Sequence, residues 1–300
     1  MLMSLAKYVL GPMRIPFLLL NPACVAVGVG TAYRATGHIN LFDACLALIG
    51  AVAAHIAVNA FNEYSDCKSG LDAVTKKTPF SGGSGVLPEN PSMAYVALIT
   101  ALVAVGVTGL IGLHFALARG LAIIPLGLLG LLVIVIYTPL LTRLPALCLI
   151  APGLGFGTLM VMGTHFVLTG QYSIIAFVAS LVPFFLVSDL LLLNQFPDVE
   201  ADKTVGRRTL PIVIGRRNAA AVYTLFLLLT YVSIGIGVAM KYLPTVCLIG
   251  LATIVLAVPA SINSFRYAEE PEKLTPSLGI NVVINLITPA LVAVGFFVAK

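Results

Sequence analysis

Twice in this chain an asparagine is followed, four residues on, by an aspartate and then by another. Asn62, Asp66 and Asp72 form the first set; Asn194, Asp198 and Asp202 form the second. Carboxylates held close together repel one another unless a cation lies between them, and a hard divalent ion takes oxygen ligands of this kind. Asn62 and Asn194 add neutral amide groups able to orient a carboxylate, a metal or a phosphate. Bases adjoin both sets: Lys68, Lys76 and Lys77 follow the first, and Lys203, Arg207 and Arg208 the second. Acids that hold a metal beside bases that hold oxyanions suit a metal-bridged diphosphate. Lys68, Lys77, Lys203 and Arg208 are the diphosphate contacts expected from the sequence, ahead of Arg216 and Arg217. Glu63 and Glu200 read as solvated neighbours.

The elements that must position these residues are membrane helices. The 300 residues are 59% hydrophobic and only 10% charged, with a mean hydropathy of +1.05. Soluble domains run at roughly 45–50% apolar and about 25% charged. Apolar runs of around 20 residues mark spanning segments. Nine are expected, over about residues 14–33, 40–62, 92–114, 119–141, 146–168, 173–197, 217–240, 243–262 and 278–299. The chain thus reads as one all-α integral-membrane domain, residues 1–300, with a parallel repeat of helices 1–4 and 5–8 suggested by the recurring acidic set.

The surplus of bases, 17 against 12 acids, does not imply a nucleic-acid partner. With nine spans, all but Arg34, Arg119, Lys241 and Lys300 fall on one side, which the positive-inside rule assigns to the cytoplasm of a plasma-membrane protein. That side holds the N-terminus, both acidic segments and the loops at 63–91 and 198–216. The stretch after Lys7 and Arg14 reads as a first spanning helix and not as a cleaved signal. The five cysteines have neither CxxC nor metal-ligand spacing and read as free apolar fillers.

His55, Asn59, Asn62 and Asp66 share one face of the second span, and Asn194, Asp198 and Asp202 recur at four-residue steps on the sixth. Lipid offers polar groups no partners, so both stripes face a common cavity open to the cytoplasm. Pro197 should kink the sixth helix there. The segment Thr78–Gly85, rich in glycine and serine, is a lid, an anion-binding nest or a plain surface loop. Asp189 is either a proton or hydroxyl partner for substrate or a structural acid; it lies about half a turn out of phase with Asp198. Structural roles are expected for His114 and His165.

At this point the chain resembles the UbiA-type intramembrane prenyltransferases along essentially its whole length. The resemblance rests on the two Asn-led acidic segments, on KTVGRRTLPIVIG from Lys203, on Tyr137-Thr138-Pro139 and on Gly153–Gly163. It implies nine helices around a central cavity, with two Mg2+ held by Asp66, Asp72, Asp198 and Asp202 and bridging a polyprenyl diphosphate. Arg14, Asn59, Tyr137 and Asp189 are then the candidates for contact with the aromatic acceptor or the prenyl chain. The five residues between Asp66 and Asp72 resemble the menaquinone branch, whose acceptor is 1,4-dihydroxy-2-naphthoate. Past Tyr137-Thr138-Pro139 only Arg143 is basic, where many relatives are more basic. A UbiA-type enzyme with another acceptor (4-hydroxybenzoate, a lipid or an intramembrane cyclisation) is the alternative reading. An ion-coupled transporter is the rival of another class, but it would place its key charges near the midplane on broken helices.

Overall fold

The computed structural model describes residues 2–299, with side chains from residue 6 onward; Lys300, counted above on the outer side, lies outside them. Every regular element among the described residues is helical. Among the described residues eight helices are long and apolar enough to cross a membrane: Ile15–Thr36, Leu41–Ser69, Pro91–Arg119, Pro145–Thr169, Ile174–Asn194, Arg216–Ala239, Thr245–Arg266 and Pro271–Val298. The fourth expected span is shorter. It runs Leu121–Ile136, and at about 1.5 Å per residue it falls short of a bilayer's roughly 30 Å apolar core. The apolar run continues to Leu141, but Tyr137–Leu140 forms a turn before Pro145 opens the next helix. Composition alone does not reveal that stop.

Four helices lead to and carry the first acidic segment. Helix α1 (Leu2–Met13) leads through a short turn into α2 (Leu20–Thr36), and α3 (Leu41–Ser69) follows. Asn40 caps α3, its side chain accepting from the backbone N–H groups of Phe42 and Asp43 at 3.0 and 3.3 Å. Gly70, at φ 78°, stops α3 as a left-handed C-cap. A single new turn, α4 (Leu71–Val74), then carries Asp72 at its start, with Leu71 only 3% exposed as its anchor. The wide gap between Asp66 and Asp72 is therefore a helix stop followed by a restart, which folds Asp72 back beside Asp66.

Helices α5 (Ala94–Arg119) and α6 (Ile124–Ile136) pack along α3. The next span is α7 (Pro145–Gly153) joined to α8 (Met160–Thr169) by a π-helical stretch at Leu154–Leu159. It lies backbone-to-backbone against α9 (Ile174–Asn194). A Cβ built on Gly153 would stand 2.1 Å from the Phe184 carbonyl oxygen, and one on Gly157 2.4 Å from the Phe184 nitrogen. Only glycine permits that approach, which fixes the helix delivering the second acidic segment. Pro197 ends α9 at Asn194, and α10 (Val199–Thr204) restarts the helical path. After α11 (Leu210–Ile214), helices α12 (Arg216–Ala239), α13 (Ile254–Arg266) and α14 (Thr275–Val298) close the bundle. Their packed interior includes the fully buried Tyr223, Ile234, Leu278 and Phe296.

Candidate active site

The two acidic segments meet. Helices α4 and α10 are in contact, and one guanidinium joins the segments. Arg207 donates from Nη1 to Asp202 Oδ1 at 2.9 Å and from Nη2 to Asp66 Oδ1. Local geometry explains why Arg207 and not Arg208 turns inward. Gly206, at φ 75°, follows α10. Its N–H donates to the Lys203 carbonyl at 3.2 Å, and the Arg207 N–H reaches back to the Asp202 carbonyl at 3.1 Å. This Schellman closure lays Arg207 over the last turn of α10, while Arg208 points out to solvent.

A second cation enters from the N-terminal side. Arg14 sits in the left-handed region at φ 51°, a costly conformation for a long side chain. It is held by Glu63 Oε1, 2.8 Å from Nε, and by Asn62 Oδ1, 2.9 Å from Nη2. Glu63 is fully buried, not solvated as expected. It also accepts from the Ser84 backbone N–H at 2.6 Å and the Ser84 hydroxyl at 2.7 Å. The glycine-rich loop thus folds down over the first acidic segment. A Cβ on Gly83 would meet Glu63 Oε1 at 3.1 Å and Asp72 Oδ1 at 3.3 Å.

Beneath this roof lies a cavity of about 610 Å³, within the range of small-molecule sites. Asp66, Asp72, Asp198, Asp202, Asn59, Asn62, Asn194, Arg14 and Tyr137 all line it. Asn59 Nδ2 donates to the Met13 carbonyl at 3.1 Å, and Asn62 Nδ2 to Thr138 Oγ1 at 3.4 Å. The other five expected site residues lie elsewhere. Lys68 rests 5.9 Å from the Tyr64 ring centroid, Lys77 binds the Ser84 carbonyl, and Lys203 pairs with exposed Glu200 at 3.2 Å. Arg208 contributes only its backbone N–H, to the Thr142 carbonyl at 2.9 Å. Asp189 is fully buried outside the cavity, where Asn281 Nδ2 approaches its carbonyl oxygen at 3.4 Å. Arg216 supports the turn before Asp198, its Nε donating to the Phe196 carbonyl at 3.0 Å. His165 Nδ1 meets Thr31 Oγ1 at 3.0 Å within the core.

The charges do not balance. Five carboxylates, Glu63 included, face the two guanidiniums of Arg14 and Arg207. Burial, then Asp66 and Glu63, pushes the Asp72 carboxyl up to about 7. Burial and then Asp202 push Asp198 to about 7 as well. Asp72 Oδ2, Asp198 Oδ1 and Asn194 Oδ1 are buried without a hydrogen-bond partner. This all-oxygen donor set fits Mg2+. Among the described residues no three acids, histidines or cysteines converge on one point. Mg2+ is usually held by one or two carboxylates plus the phosphates of a substrate. Away from the acids the wall is apolar, formed by residues such as Phe17, Leu20, Phe156, Leu131, Ile134 and Met160.

Apolar spanning helices that hold acids and arginines over an oily chamber have the make-up of a membrane enzyme. The sequence pattern of the UbiA prenyltransferase family matches residues 23–283, and the chain belongs to that family of multi-pass membrane prenyltransferases. It is 24% identical to the 1,4-dihydroxy-2-naphthoate octaprenyltransferase of Bacillus subtilis over 250 residues, 81% of this chain and 78% of that one. Against the 1,4-dihydroxy-2-naphthoate octaprenyltransferase of Escherichia coli it is 26% identical over 292 residues, covering 93% and 91%. The fold matches a UbiA homolog from Aeropyrum pernix K1 with a TM-score of 0.71 at 17% identity, covering 95% and 98%. It matches one from Archaeoglobus fulgidus bound to DMAPP and Mg2+ with 0.62 at 16%, covering 97% and 99%.

Proposed function

We propose that this prenyltransferase moves a polyprenyl group from an isoprenyl diphosphate to 1,4-dihydroxy-2-naphthoate, with two Mg2+ and with its acidic mouth on the cytoplasmic side of the plasma membrane. The observation that carries the donor half is the meeting of two acidic segments, bridged by Arg207 and in charge excess, above an apolar chamber. Asp66 and Asp72 on one side, and Asp198 and Asp202 on the other, would hold the ions. Bound there, Mg2+ neutralises the diphosphate and improves it as a leaving group.

The chain's own residues supply the rest. Arg207, between Asp66 and Asp202, is placed to take diphosphate oxygens, and Asn194 and Asn62 orient what lies between the segments. The C1–O bond of the allylic diphosphate breaks with its electron pair leaving on oxygen. Aromatic rings of the cavity wall near the acids, Phe17 and Tyr137 among them, are available to stabilise the allylic cation, and the roof loop excludes water. An electron-rich ring carbon of the acceptor supplies the pair for the new C–C bond. The ring then loses a proton, or carbon dioxide where that carbon carried the carboxylate.

The prenyl tail follows the apolar floor between α5 and α6. Leu113 and Leu128 line the cavity there yet are 55% and 61% exposed on the lipid-facing surface. The acceptor assignment is supported by the Asp66–Asp72 spacing and by the two naphthoate enzymes among the relatives. Purified protein with radiolabelled prenyl diphosphate and a panel of aromatic acids, with and without EDTA, tests the reading. Transfer to the naphthoate that stops in EDTA is expected; full activity in EDTA, or preference for another acid, refutes the metal or the acceptor half.

A further inference from the structure

Three turns below Asp66 on α3, about 16 Å along the axis at 1.5 Å per residue, His55 lines the same cavity and is 7% exposed. Its Nδ1 lies 3.1 Å from Asn21 Nδ2. The orientation of that amide is settled by its second contact, since Nδ2 also donates to the Leu18 carbonyl at 2.8 Å. Asn21 therefore presents N–H groups on both sides, and His55 Nδ1 must accept. A neutral imidazole that accepts on Nδ1 carries its proton on Nε2. Nε2 has no partner among the described residues, while the ring is steadied edge-on by Phe156 at 4.5 Å between centroids.

Resting on the reading of this cavity as a prenyl-transfer site, we infer that His55 donates its Nε2–H to an oxygen of the aromatic acceptor and so sets how that ring meets the prenyl carbon. A hydrocarbon tail at this depth would leave the N–H unpaired, which is unfavourable for a polar group removed from water; an oxygenated aromatic ring satisfies it. Asn21 also decides what His55 cannot do. With the Nδ1 lone pair engaged and the proton on Nε2, the ring faces the chamber as a donor and not as the base that deprotonates the product. Asn21 is thus a positioning residue, acting through the tautomer it imposes.

Steady-state kinetics of purified His55→Phe, His55→Gln and Asn21→Leu, each varied in both substrates, tests this. His55→Phe should raise KM for the acceptor roughly 10-fold or more, the equivalent of about 1.4 kcal/mol, with KM for the prenyl diphosphate within about twofold of wild type. His55→Gln, which keeps an N–H donor, should recover most of that loss. Asn21→Leu, which frees the tautomer, should raise acceptor KM a few-fold and spare the diphosphate. An unchanged acceptor KM in His55→Phe, equal loss for both substrates, or a glutamine variant no better than phenylalanine overturns the inference. Should His55→Phe not fold, the glutamine and Asn21→Leu variants decide alone: normal acceptor KM in Asn21→Leu, or His55→Gln as impaired for diphosphate as for acceptor, overturns it. Wild-type enzyme that transfers to no acid refutes the proposed function instead.

Discussion

Arg207→Ala should unfold the metal-free protein more easily and make Mg2+ a stronger stabiliser than it is for wild type. The substitution removes the one guanidinium shared by Asp66 and Asp202, whose side chains are only 9% and 4% exposed. Removing one partner of a buried ion pair costs about 3–5 kcal/mol. The lower end applies, because the stranded acids can take up a proton, as neighbouring Asp72 and Asp198 with carboxyls near 7 already show. At about 2.1 cal/mol/K per residue the 300-residue chain unfolds with about 0.63 kcal/mol/K, so a loss of about 3 kcal/mol should lower the midpoint by about 5 °C in EDTA. Mg2+ at 100 times its dissociation constant returns about 2.7 kcal/mol. In the wild type part of that gain is offset by displacing Arg207, so the Mg2+-induced shift should be larger in the variant. Thermal unfolding in detergent, with and without Mg2+, measures both quantities. A variant as stable as wild type in EDTA would show that the bridge does not form. A Mg2+ shift no larger than wild type would show that metal and arginine do not compete for the same carboxylates. Turnover should fall about 100- to 1,000-fold even when Mg2+ restores the fold, the usual loss when one charge-stabilising donor is removed.

Other perturbations follow from the same site. Asp66→Ala and Asp198→Ala should each abolish Mg2+-dependent transfer while the purified protein keeps its helical circular dichroism; full activity in both would refute the metal assignment. Asp72 and Asp198 are pushed up to about 7, above the unfolded value of about 3.9. The metal-free fold therefore holds their protons more tightly than the unfolded chain does; the stabilisation this gives is complete below about pH 3.9, shrinks as pH rises from there, and is lost as pH passes about 7. Mg2+ must displace the same protons, so calorimetry should find it binding more weakly at pH 6 than at pH 8, with proton release at pH 6; pH-independent affinity would contradict this. Gly109 and Gly112 in α5 line the cavity with nothing within 4 Å of an added Cβ, so Gly112→Phe should fold yet favour shorter prenyl diphosphates in a chain-length competition. Gly157→Ala, driven into the Phe184 backbone, should instead lower expression and thermal midpoint for every substrate.

The acids were legible because charge is scarce in this chain: an aspartate in an oily helix needs a partner, and two sets at matching offsets from asparagine mark themselves. Helix phase reached less far: Asp198 lies past the end of α9 at Asn194, so an offset counted along one helix does not place Asp189, which is buried outside the cavity. The bases were harder to sort. A cytoplasmic loop collects lysine and arginine for topological reasons, so proximity in sequence to an acid says little. What separates Arg207 from Arg208 is Gly206, whose position after a helix turns the next residue back over the last turn; that signal was in the sequence. Glu63 gave no such sign. Its burial depends on Arg14 and Ser84, 49 and 21 residues away, and no local pattern reports a contact made at that range.

The bridge between Asp66 and Asp202 also bears on how one site keeps two acidic segments together before substrate arrives. Without a cation the five carboxylates would drive α4 and α10 apart, and the roof loop anchored on Glu63 would lose its floor. Arg14 and Arg207 each satisfy part of that charge, and each comes from a segment held in place by a left-handed residue, Arg14 itself and Gly206. Their charge leaves an excess of acid that a metal-diphosphate can still meet. Two further guanidiniums would quench the site for metal; none would open it. The arginine that holds the segments together is therefore also the one best placed to move onto the diphosphate when metal takes its acids.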